Sequence, residues 1–228
     1  MGLGLGIRVR LIRAWRGALR AWRQRSRRPW KRMRAEKLHI GSGLVLLPGW
    51  TNVDIEYHAG VHHVLDVRDG LPFDGVDYIY AEHFLEHLTH DEGMRFLAEC
   101  RAALNAGGVL RLSTPNLDWV WATQYRRPSD DPIRDCFAMN KAFRGWGHEF
   151  LYNVETLAAA LGDAGFAVVR ACRYGESAHA ALANLERHEK SEDAPHLPHV
   201  IIVEASGARA RGDVLRPAAE DFDWAVRA

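Results

Sequence analysis

Four short stretches of the chain carry residue types that could together bind a nucleoside. The G-S-G at 41–43 would let the backbone approach a ligand without a Cβ in the way. The Asp54 carboxylate could accept hydrogen bonds from both hydroxyls of a ribose, and Asp66 beside Val67 would suit an adenine. An E-H pair at 82–83 comes fourth. A glycine pair alone often marks only a turn and an aspartate only a cap, so the prediction depends on the ordered set.

The spacing of these residues distinguishes between nucleotide cofactors. A dinucleotide-binding fingerprint requires G-x-G-x-x-G, with an acid about 20 residues further on. Here Leu46 occupies the third glycine position, and Asp54 follows Gly43 by only 11 residues. The lysine of a phosphate-binding loop does not follow the glycines either. The pattern therefore favours a cofactor with one nucleoside and no pyrophosphate.

The elements that must position these residues alternate between short apolar runs and helical patterns. This alternation is typical of an α/β fold with a doubly wound, mostly parallel sheet. Thr89 with Glu92 forms a capping box, and Asn153 can cap a second helix. Ligands bind such sheets at the carboxyl ends of the strands, which is where the candidate residues fall. We predict strands at 38–40, 51–55, 62–67, 76–81, 109–114, 166–172 and 199–205.

Three histidines stand where they could act as a general base. His83 and His87 follow the fourth predicted strand, and His148 precedes the second predicted helix. An imidazole titrates near neutral pH and can take a proton from an acceptor hydroxyl. We predict His83 and His148 as catalytic residues, ahead of His87. The alternative for each is a structural or surface histidine.

The same stretch also allows a metal interpretation, because His83 and His87 form an i, i+4 pair. The order is not H-E-x-x-H, however, and the spacing supplies no third ligand. From the sequence we therefore expect no metal site.

The motifs LHIGSG, PGWTNVD, LDVRDG, AEHFLEHL and GGVLRLSTPN together resemble the class I S-adenosylmethionine-dependent methyltransferases. The chain is most similar to a small bacterial, methyltransferase type 11-like subgroup with P-G-W-x-N-V-D and E-H-x-L-E-H-L elements, over residues 37–206. The resemblance implies a Rossmann-like methyltransferase fold and S-adenosyl-L-methionine as cofactor. It implies cofactor contacts from Gly41, Ser42 and Gly43 to the methionine part, from Asp54 to the ribose, from Asp66 and Val67 to the adenine, and from Glu82 with His83 beside the sulfonium.

Two features depart from the pattern of that family. His39 stands where many relatives carry an acid that holds the ammonium group of the cofactor. The connection from Ile40 to Thr51 is short for a crossover between parallel strands, which usually needs about a dozen residues or more. We expect any helix in this connection to be little more than a turn.

The net charge of +1 over 228 residues hides a strong asymmetry. Residues 1–34 hold eleven Arg, one Lys and no acid, whereas the remainder of the chain is acidic. On a helical wheel, residues 8–23 separate Leu and Trp from most of the Arg, which suits a helix at an anionic membrane surface. Docking on the acidic body of this chain or of a partner explains the pattern equally well. Nucleic-acid binding explains it less well, because phosphate contacts need no ordered apolar face.

These patterns divide the chain into three parts. We predict a basic helix and linker at 1–34, a methyltransferase domain at 35–206 and a C-terminal tail at 207–228. Within the domain, excursions at 116–150 and 175–198 would lie on the substrate side, since long connections commonly form lids or binding loops.

The cysteines and the apolar runs indicate the compartment. Three isolated cysteines argue against a disulfide scaffold, and no apolar run approaches the roughly 18 residues of a membrane span. We expect a cytoplasmic protein, and the membrane interpretation of the basic helix would place it on the inner face of the membrane.

The function that the sequence predicts is methyl transfer from S-adenosylmethionine to a hydroxyl or amine. The acceptor would be a small molecule or a glycan- or lipid-linked precursor. One alternative is a non-catalytic, methyltransferase-like module that binds a nucleoside. The other, which the glycine spacing disfavours, is an NAD-type oxidoreductase.

Overall fold

The computed structural model describes residues 32–125, 131–187 and 197–209. The predicted basic helix at 8–23 and most of the predicted C-terminal tail lie outside the described residues. The chain divides into two compact units, residues 1–33 and 34–228, and nearly all of the described residues belong to the second.

The secondary structure of the described residues alternates between strands and helices. The strands are β1 (Met33–Arg34), β2 (Lys37–Ile40), β3 (Thr51–Asp54), β4 (His63–Val64), β5 (Phe73–Asp74), β6 (Val76–Glu82), β7 (Leu104–Pro115), β8 (Val168–Ala171) and β9 (Val200–Ser206). The α-helices are α1 (His90–Ala103), α2 (Leu117–Val120), α3 (Pro132–Arg144) and α4 (Val154–Asp163). Short 3₁₀ helices cover Val67–Asp69 and Leu85–His87, and a π-helical turn covers Trp121–Tyr125.

Seven of these strands form one twisted sheet in the order β4-β3-β2-β6-β7-β9-β8. The pairs from β4 to β7 are all parallel, whereas β9 runs antiparallel to both of its neighbours. At the centre, Ile40 of β2 lies in register with Val53 of β3 and with Ala81 of β6. This topology confirms the predicted α/β fold with a mostly parallel sheet, and it brings the ends of β2, β3 and β6 to one edge.

One face of the sheet is covered by α1 and α4, which contact each other. α1 starts at the predicted capping box: Glu92 N–H donates to Thr89 Oγ1 at 3.4 Å, and Thr89 N–H donates to Glu92 Oε2 at 2.9 Å. Its apolar stripe, which includes Phe96 and Leu97, is buried. α4 starts at Asn153, as predicted.

The other face carries an irregular segment, residues 173–187, which we call the strap. Leu182 of the strap is buried with Trp50 and with Tyr80 of β6. Beneath it, Arg111 of β7 is fully buried and pairs with Glu186 at 2.6 Å and with Glu204 of β9 at 2.7 Å. A buried cation needs such partners, so this ion network fastens the strap to the sheet.

The connection between β2 and β3, residues 41–50, contains turns and no helix, as predicted from its length. Asn52 holds it in place. Its amide oxygen accepts hydrogen bonds from Leu47 N–H and His39 Nδ1, both at 3.0 Å. Its amide nitrogen donates to the carbonyls of Leu47 and Trp50. One buried side chain therefore replaces the packing that a crossover helix would supply.

One predicted strand was wrong, and one helix was not predicted. The strand predicted at 62–67 covers only β4, because the Asp66 side chain accepts from Arg68 N–H and starts a 3₁₀ helix instead. The excursion at 116–150 contains α3, which starts at an Asp131 cap followed by Pro132. α3 buries none of its side chains, and Phe137 is 72% exposed.

None of the described helices is both long enough and apolar enough to cross a membrane.

Candidate functional site

A cleft opens at the carboxyl ends of the parallel strands β2 and β3, next to the segment that follows β6. Most of its wall is apolar, and its polar groups come from the predicted nucleoside-binding residues and their neighbours. The lining consists of Ile40, Gly41, Val53, Asp54, Ile55, Leu65, Asp66, Val67, Arg68, Phe84, His87 and Leu88. Ligand sites usually have this composition, with a few placed polar groups in an apolar wall.

Gly41 requires glycine for two reasons. Its φ of +66° lies in the left-handed region, which residues with a Cβ rarely adopt. A Cβ at this position would also collide with the ring of Phe84. The backbone at the end of β2 therefore runs directly beside an aromatic ring of the cleft wall.

Asp54, at the end of β3, connects two loops. Its Oδ2 accepts the Gly43 N–H at 2.7 Å, and its Oδ1 accepts the Glu56 N–H at 2.9 Å. A carboxylate offers about four lone-pair sites, so Asp54 can still accept hydrogen bonds from two hydroxyls. Because Asp54 lines the cleft, a ribose there could use them.

Asp66 already has a partner inside the protein. Arg68 Nε lies 2.7 Å from Asp66 Oδ1, and Arg68 Nη2 lies 2.7 Å from Asp66 Oδ2. This hydrogen bonding raises the pKa of Arg68. With the Arg68 backbone N–H also bound at 3.0 Å, Arg68 occupies the lone pairs of Asp66, so an adenine amino group would have to displace it.

These residues fit the adenosine part of the cofactor that the resemblance implies. The crowded Gly41 leaves backbone beside the cleft, and Asp54 supplies an acceptor at the end of β3, whereas Asp66 can supply one only after Arg68 is displaced. Val53 and Val67 add apolar wall. Four residues predicted beside the cofactor do not line the cleft itself, namely Ser42, Gly43, Glu82 and His83, of which His83 belongs to the cluster described below.

The first three of these residues have other surroundings. Ser42 is buried, and its hydroxyl has no hydrogen-bond partner among the described residues. The N–H of Gly43 is bound to Asp54. Glu82 Oε1 accepts the Arg187 N–H at 2.8 Å, so the end of the strap reaches the end of β6. Their predicted cofactor contacts stay predictions.

His39 is a core residue of β2. Its Nδ1 donates to the amide oxygen of Asn52, which lies opposite it in β3. Burial lowers the pKa of His39, although the Asn52 hydrogen bond and the carboxylates of Glu82 and Asp54 oppose this effect. His39 is therefore neutral near pH 7.

A polar cluster lies beside the cleft and contains all three candidate histidines. Its residues, which we call the histidine cluster, are His83, Glu86, His87 and His148. His83 Nδ1 lies 3.2 Å from Glu86 Oε1. The ring centroids of His87 and His148 are 5.3 Å apart. Glu149 N–H and Phe150 N–H both donate to the Glu86 carbonyl, which draws the segment after α3 onto the short helix after β6. His87 alone belongs both to the cluster and to the cleft lining.

The backbone fixes two members of this cluster. His83 has a φ of +47°, rare for a residue with a Cβ, and its N–H donates to the Ser113 carbonyl at 2.9 Å. His148 Nδ1 lies 3.0 Å from the Ala142 carbonyl, so Nδ1 carries the proton and Nε2 keeps its lone pair. Burial lowers the pKa of His148, which favours the neutral form near pH 7. A neutral imidazole of this kind can accept a proton.

Glu86 was missed by the sequence analysis. Its side chain is 0% exposed, and its Oε2 accepts the Thr114 hydroxyl at 3.0 Å. The signal that could have revealed it is a carboxylate between two histidines in E-H-F-L-E-H, at the end of a predicted strand.

Among the described side chains of the excursion at 116–150, the aromatic residues make separate contacts. Trp119 packs on His199 with ring centroids 4.0 Å apart, and Phe150 packs on Tyr152 at 4.7 Å. Trp146, in contrast, is 67% exposed.

Comparisons with known proteins complete the description of the site. A family model described as a methyltransferase domain matches residues 26–171. No functionally curated protein matches the chain.

Three solved structures are similar to this chain. A possible histamine N-methyltransferase from Thermotoga maritima is 16% identical, with a TM-score of 0.47 over 75% of this chain and 81% of that one. An S-adenosylmethionine dependent methyltransferase from Mesorhizobium loti is 17% identical, with a TM-score of 0.48 over 75% and 90%. A structure of PigF with SAH is 17% identical, with a TM-score of 0.45 over 75% and 50%, so the chain spans about half the length of PigF.

Similarity to solved structures at this level does not transfer an activity or a substrate. The family model does not depend on it and covers well over half of the chain. On that match, the chain belongs to the methyltransferase domain family, and its central domain is an S-adenosylmethionine-dependent methyltransferase domain.

Proposed function

We propose that this protein transfers a methyl group from S-adenosylmethionine to a hydroxyl or amine of a small molecule or of a glycan- or lipid-linked precursor. The observation that carries the proposal is the histidine cluster beside the cleft, with His87 common to both. The bound cofactor supplies an electrophilic methyl group on a charged sulfur. The chain must then align the acceptor, exclude water and take the acceptor's proton.

His83 and His148 are the proposed proton acceptors. Glu86 lies 3.2 Å from His83 Nδ1, so it can orient the His83 ring and stabilise its protonated form. His148 keeps a lone pair on Nε2 because the Ala142 carbonyl binds Nδ1. Glu82 and His83 follow each other at the end of β6, which supports their proposed position beside the reacting methyl group.

The acceptor class is supported by the surface around α3. Phe137 and Trp146 are largely exposed, and Lys141 lies 5.7 Å from the centre of the Trp146 ring. Exposed rings beside cationic side chains suit the faces of sugars and the charged groups of lipid-linked precursors. This favours an amphipathic acceptor over a small apolar one.

The test is methyl transfer from labelled S-adenosylmethionine to acceptors grouped by reacting atom: phenols, sugar hydroxyls, amines and lipid-linked sugars. We expect turnover with one hydroxyl or amine class. His83→Gln or His148→Gln should lower kcat at least about 100-fold, because general base catalysis contributes a factor of that size. His58→Gln, outside the cluster, is the matched control.

Two outcomes would contradict the proposal. Unchanged kcat in both His83→Gln and His148→Gln would show that neither histidine is the general base. Tight cofactor binding without turnover on any acceptor class would instead support the non-catalytic, nucleoside-binding alternative.

A further inference from the structure

A carboxylate and two imidazoles from separate segments meet beside the cofactor cleft. Ligand atoms of Glu86, His87 and His148 all lie within 4.8 Å of one another. The first two residues belong to the short helix after β6, whereas His148 belongs to the segment between α3 and α4. One carboxylate oxygen with two imidazole nitrogens is a donor set that divalent transition metals accept.

Both imidazoles are oriented as metal-binding histidines usually are. His148 Nδ1 lies 3.0 Å from the Ala142 carbonyl, and His87 Nδ1 lies 3.3 Å from the Gly147 carbonyl. A carbonyl oxygen only accepts, so each Nδ1 carries the proton and each Nε2 keeps its lone pair. Histidine ligands typically donate their second N–H to such a group, which fixes ring and tautomer.

Glu86 provides an independent observation. Its side chain is completely buried, and its Oε1 makes no hydrogen bond among the described residues, although His83 Nδ1 lies 3.2 Å away. A buried carboxylate requires compensating charge and hydrogen bonds. A cation held between Glu86 and the two imidazoles would supply the charge. Thr114, bound to Oε2, and His83 would then orient the ligating carboxylate from behind.

We propose that Glu86, His87 and His148 bind a divalent transition-metal ion, with Zn²⁺ as the reference case. Metal–ligand distances of about 2.0–2.2 Å place donor atoms about 3.4 Å apart in a tetrahedral site, so side-chain movements of about 1 Å suffice. Three protein ligands leave one coordination position open. Since His87 lines the cofactor cleft, we assign that position to the acceptor's oxygen or nitrogen.

This last assignment rests on the proposed function. With this assignment the two proposed bases have different roles. His148 helps to activate the acceptor through the metal, and His83 takes the acceptor's proton.

The metal site is tested by titrating Co²⁺ and then Zn²⁺ into the full-length protein without cofactor or acceptor. We expect one equivalent of Co²⁺ to give the intense visible absorption bands of a four-coordinate Co²⁺ ion. Adding Zn²⁺ should displace Co²⁺ and abolish these bands. His87→Ala and His148→Ala should each weaken the affinity at least tenfold. His58→Ala changes a histidine of the β3–β4 connection and should leave it unchanged.

A folding control keeps the test decisive. Near-UV circular dichroism checks each variant, and His87→Ala, whose side chain is exposed, gives the result if His148→Ala does not fold. Wild-type affinity in both histidine variants, or no binding to the wild type at micromolar Co²⁺ and Zn²⁺, would overturn the inference. Both readouts are independent of methyl transfer, so absent turnover with an intact metal site would count against the proposed function alone.

Discussion

Three predicted cofactor-binding residues of the cleft, Gly41, Asp54 and Asp66, already lie against other groups of the protein. Gly41 faces the Phe84 ring, Asp54 binds the N–H of Gly43, and Asp66 is paired with Arg68. A substitution at any of these positions therefore changes the protein's own contacts as well as a ligand's. The residue-scale predictions below include controls for that reason.

Gly41→Ala should lower both stability and cofactor affinity. The new methyl group meets Phe84, and the left-handed backbone conformation costs about 1–2 kcal/mol for a residue with a Cβ. We expect a lower midpoint of thermal unfolding and at least tenfold weaker binding of S-adenosylmethionine by calorimetry. Gly107→Ala is the matched control, because a Cβ there meets nothing within 4 Å. Equal behaviour of the two variants would contradict the crowding at Gly41.

Asp54→Asn should weaken S-adenosylmethionine binding about 10- to 100-fold, because hydrogen bonds to a charged group contribute about 1.5–3 kcal/mol. Isothermal calorimetry measures this change. Glu56→Gln, at an exposed position two residues further along the chain, should bind as the wild type does. Unchanged affinity in Asp54→Asn and Asp54→Ala would refute the ribose assignment.

His39 should make stability depend on pH. Its pKa is lower in the folded protein than in the unfolded chain, so the unfolded chain binds more protons below about pH 6.5. The free energy of unfolding should therefore fall as the pH is lowered from 7 to 5. In urea titrations, His39→Gln should reduce this slope and His58→Gln should not. A wild-type slope in His39→Gln would show that His39 titrates normally.

At the scale of elements, the strap and the short 41–50 connection take the place of helices on one face of the sheet. Asn52 fixes the connection, and the Arg111 network fastens the strap. The strap also reaches the cleft side, because Arg187 N–H donates to Glu82. Buried polar groups thus add to the apolar packing of Leu182, Trp50 and Tyr80 on this face.

Arg111→Met should destabilise the protein by about 3–5 kcal/mol, since it leaves Glu186 and Glu204 buried without their cation. The amides of residues 173–187 should lose protection from hydrogen exchange first. Arg95→Ala, on the exposed side of α1, is the control. A strap that stays protected in Arg111→Met would show that Leu182 and its neighbours hold it without the ion network.

The sequence predicts those elements whose signals are local. Alternating apolar runs and caps placed β2, β3, β6, β9, α1 and α4 close to their observed bounds. α3 was missed because it buries no face, so it has no apolar stripe facing a core.

The candidate site follows the same division. Asp54 and Asp66 were identified because they follow apolar runs, and Gly41 because of its spacing. Glu86 has a local signal between two histidines, but its place beside Thr114 and His148 could not be predicted, because only the tertiary fold brings these residues together.

At the scale of the whole molecule, the charge asymmetry predicts a surface role for the first 34 residues, and we propose binding to anionic membranes. Removing residues 1–31 should abolish pelleting with vesicles of anionic lipid while leaving cofactor affinity unchanged. Neutral vesicles should not pellet either protein. Equal pelleting of the truncated and full-length proteins with anionic vesicles would contradict the proposal.

The ion pair between Asp66 and Arg68 gives the pocket an internal competitor. If adenine binds at Asp66, it must displace the guanidinium group of Arg68. Because Arg68 is only two residues away in the same chain, diluting the protein does not weaken this competition. The apparent affinity for every adenosine compound then equals the intrinsic affinity multiplied by the fraction of molecules in which Arg68 is not paired with Asp66. If that fraction is about one in ten, the loss is tenfold, shared equally by substrate and product forms of the cofactor. Product release would benefit, because the returning arginine helps to empty the pocket.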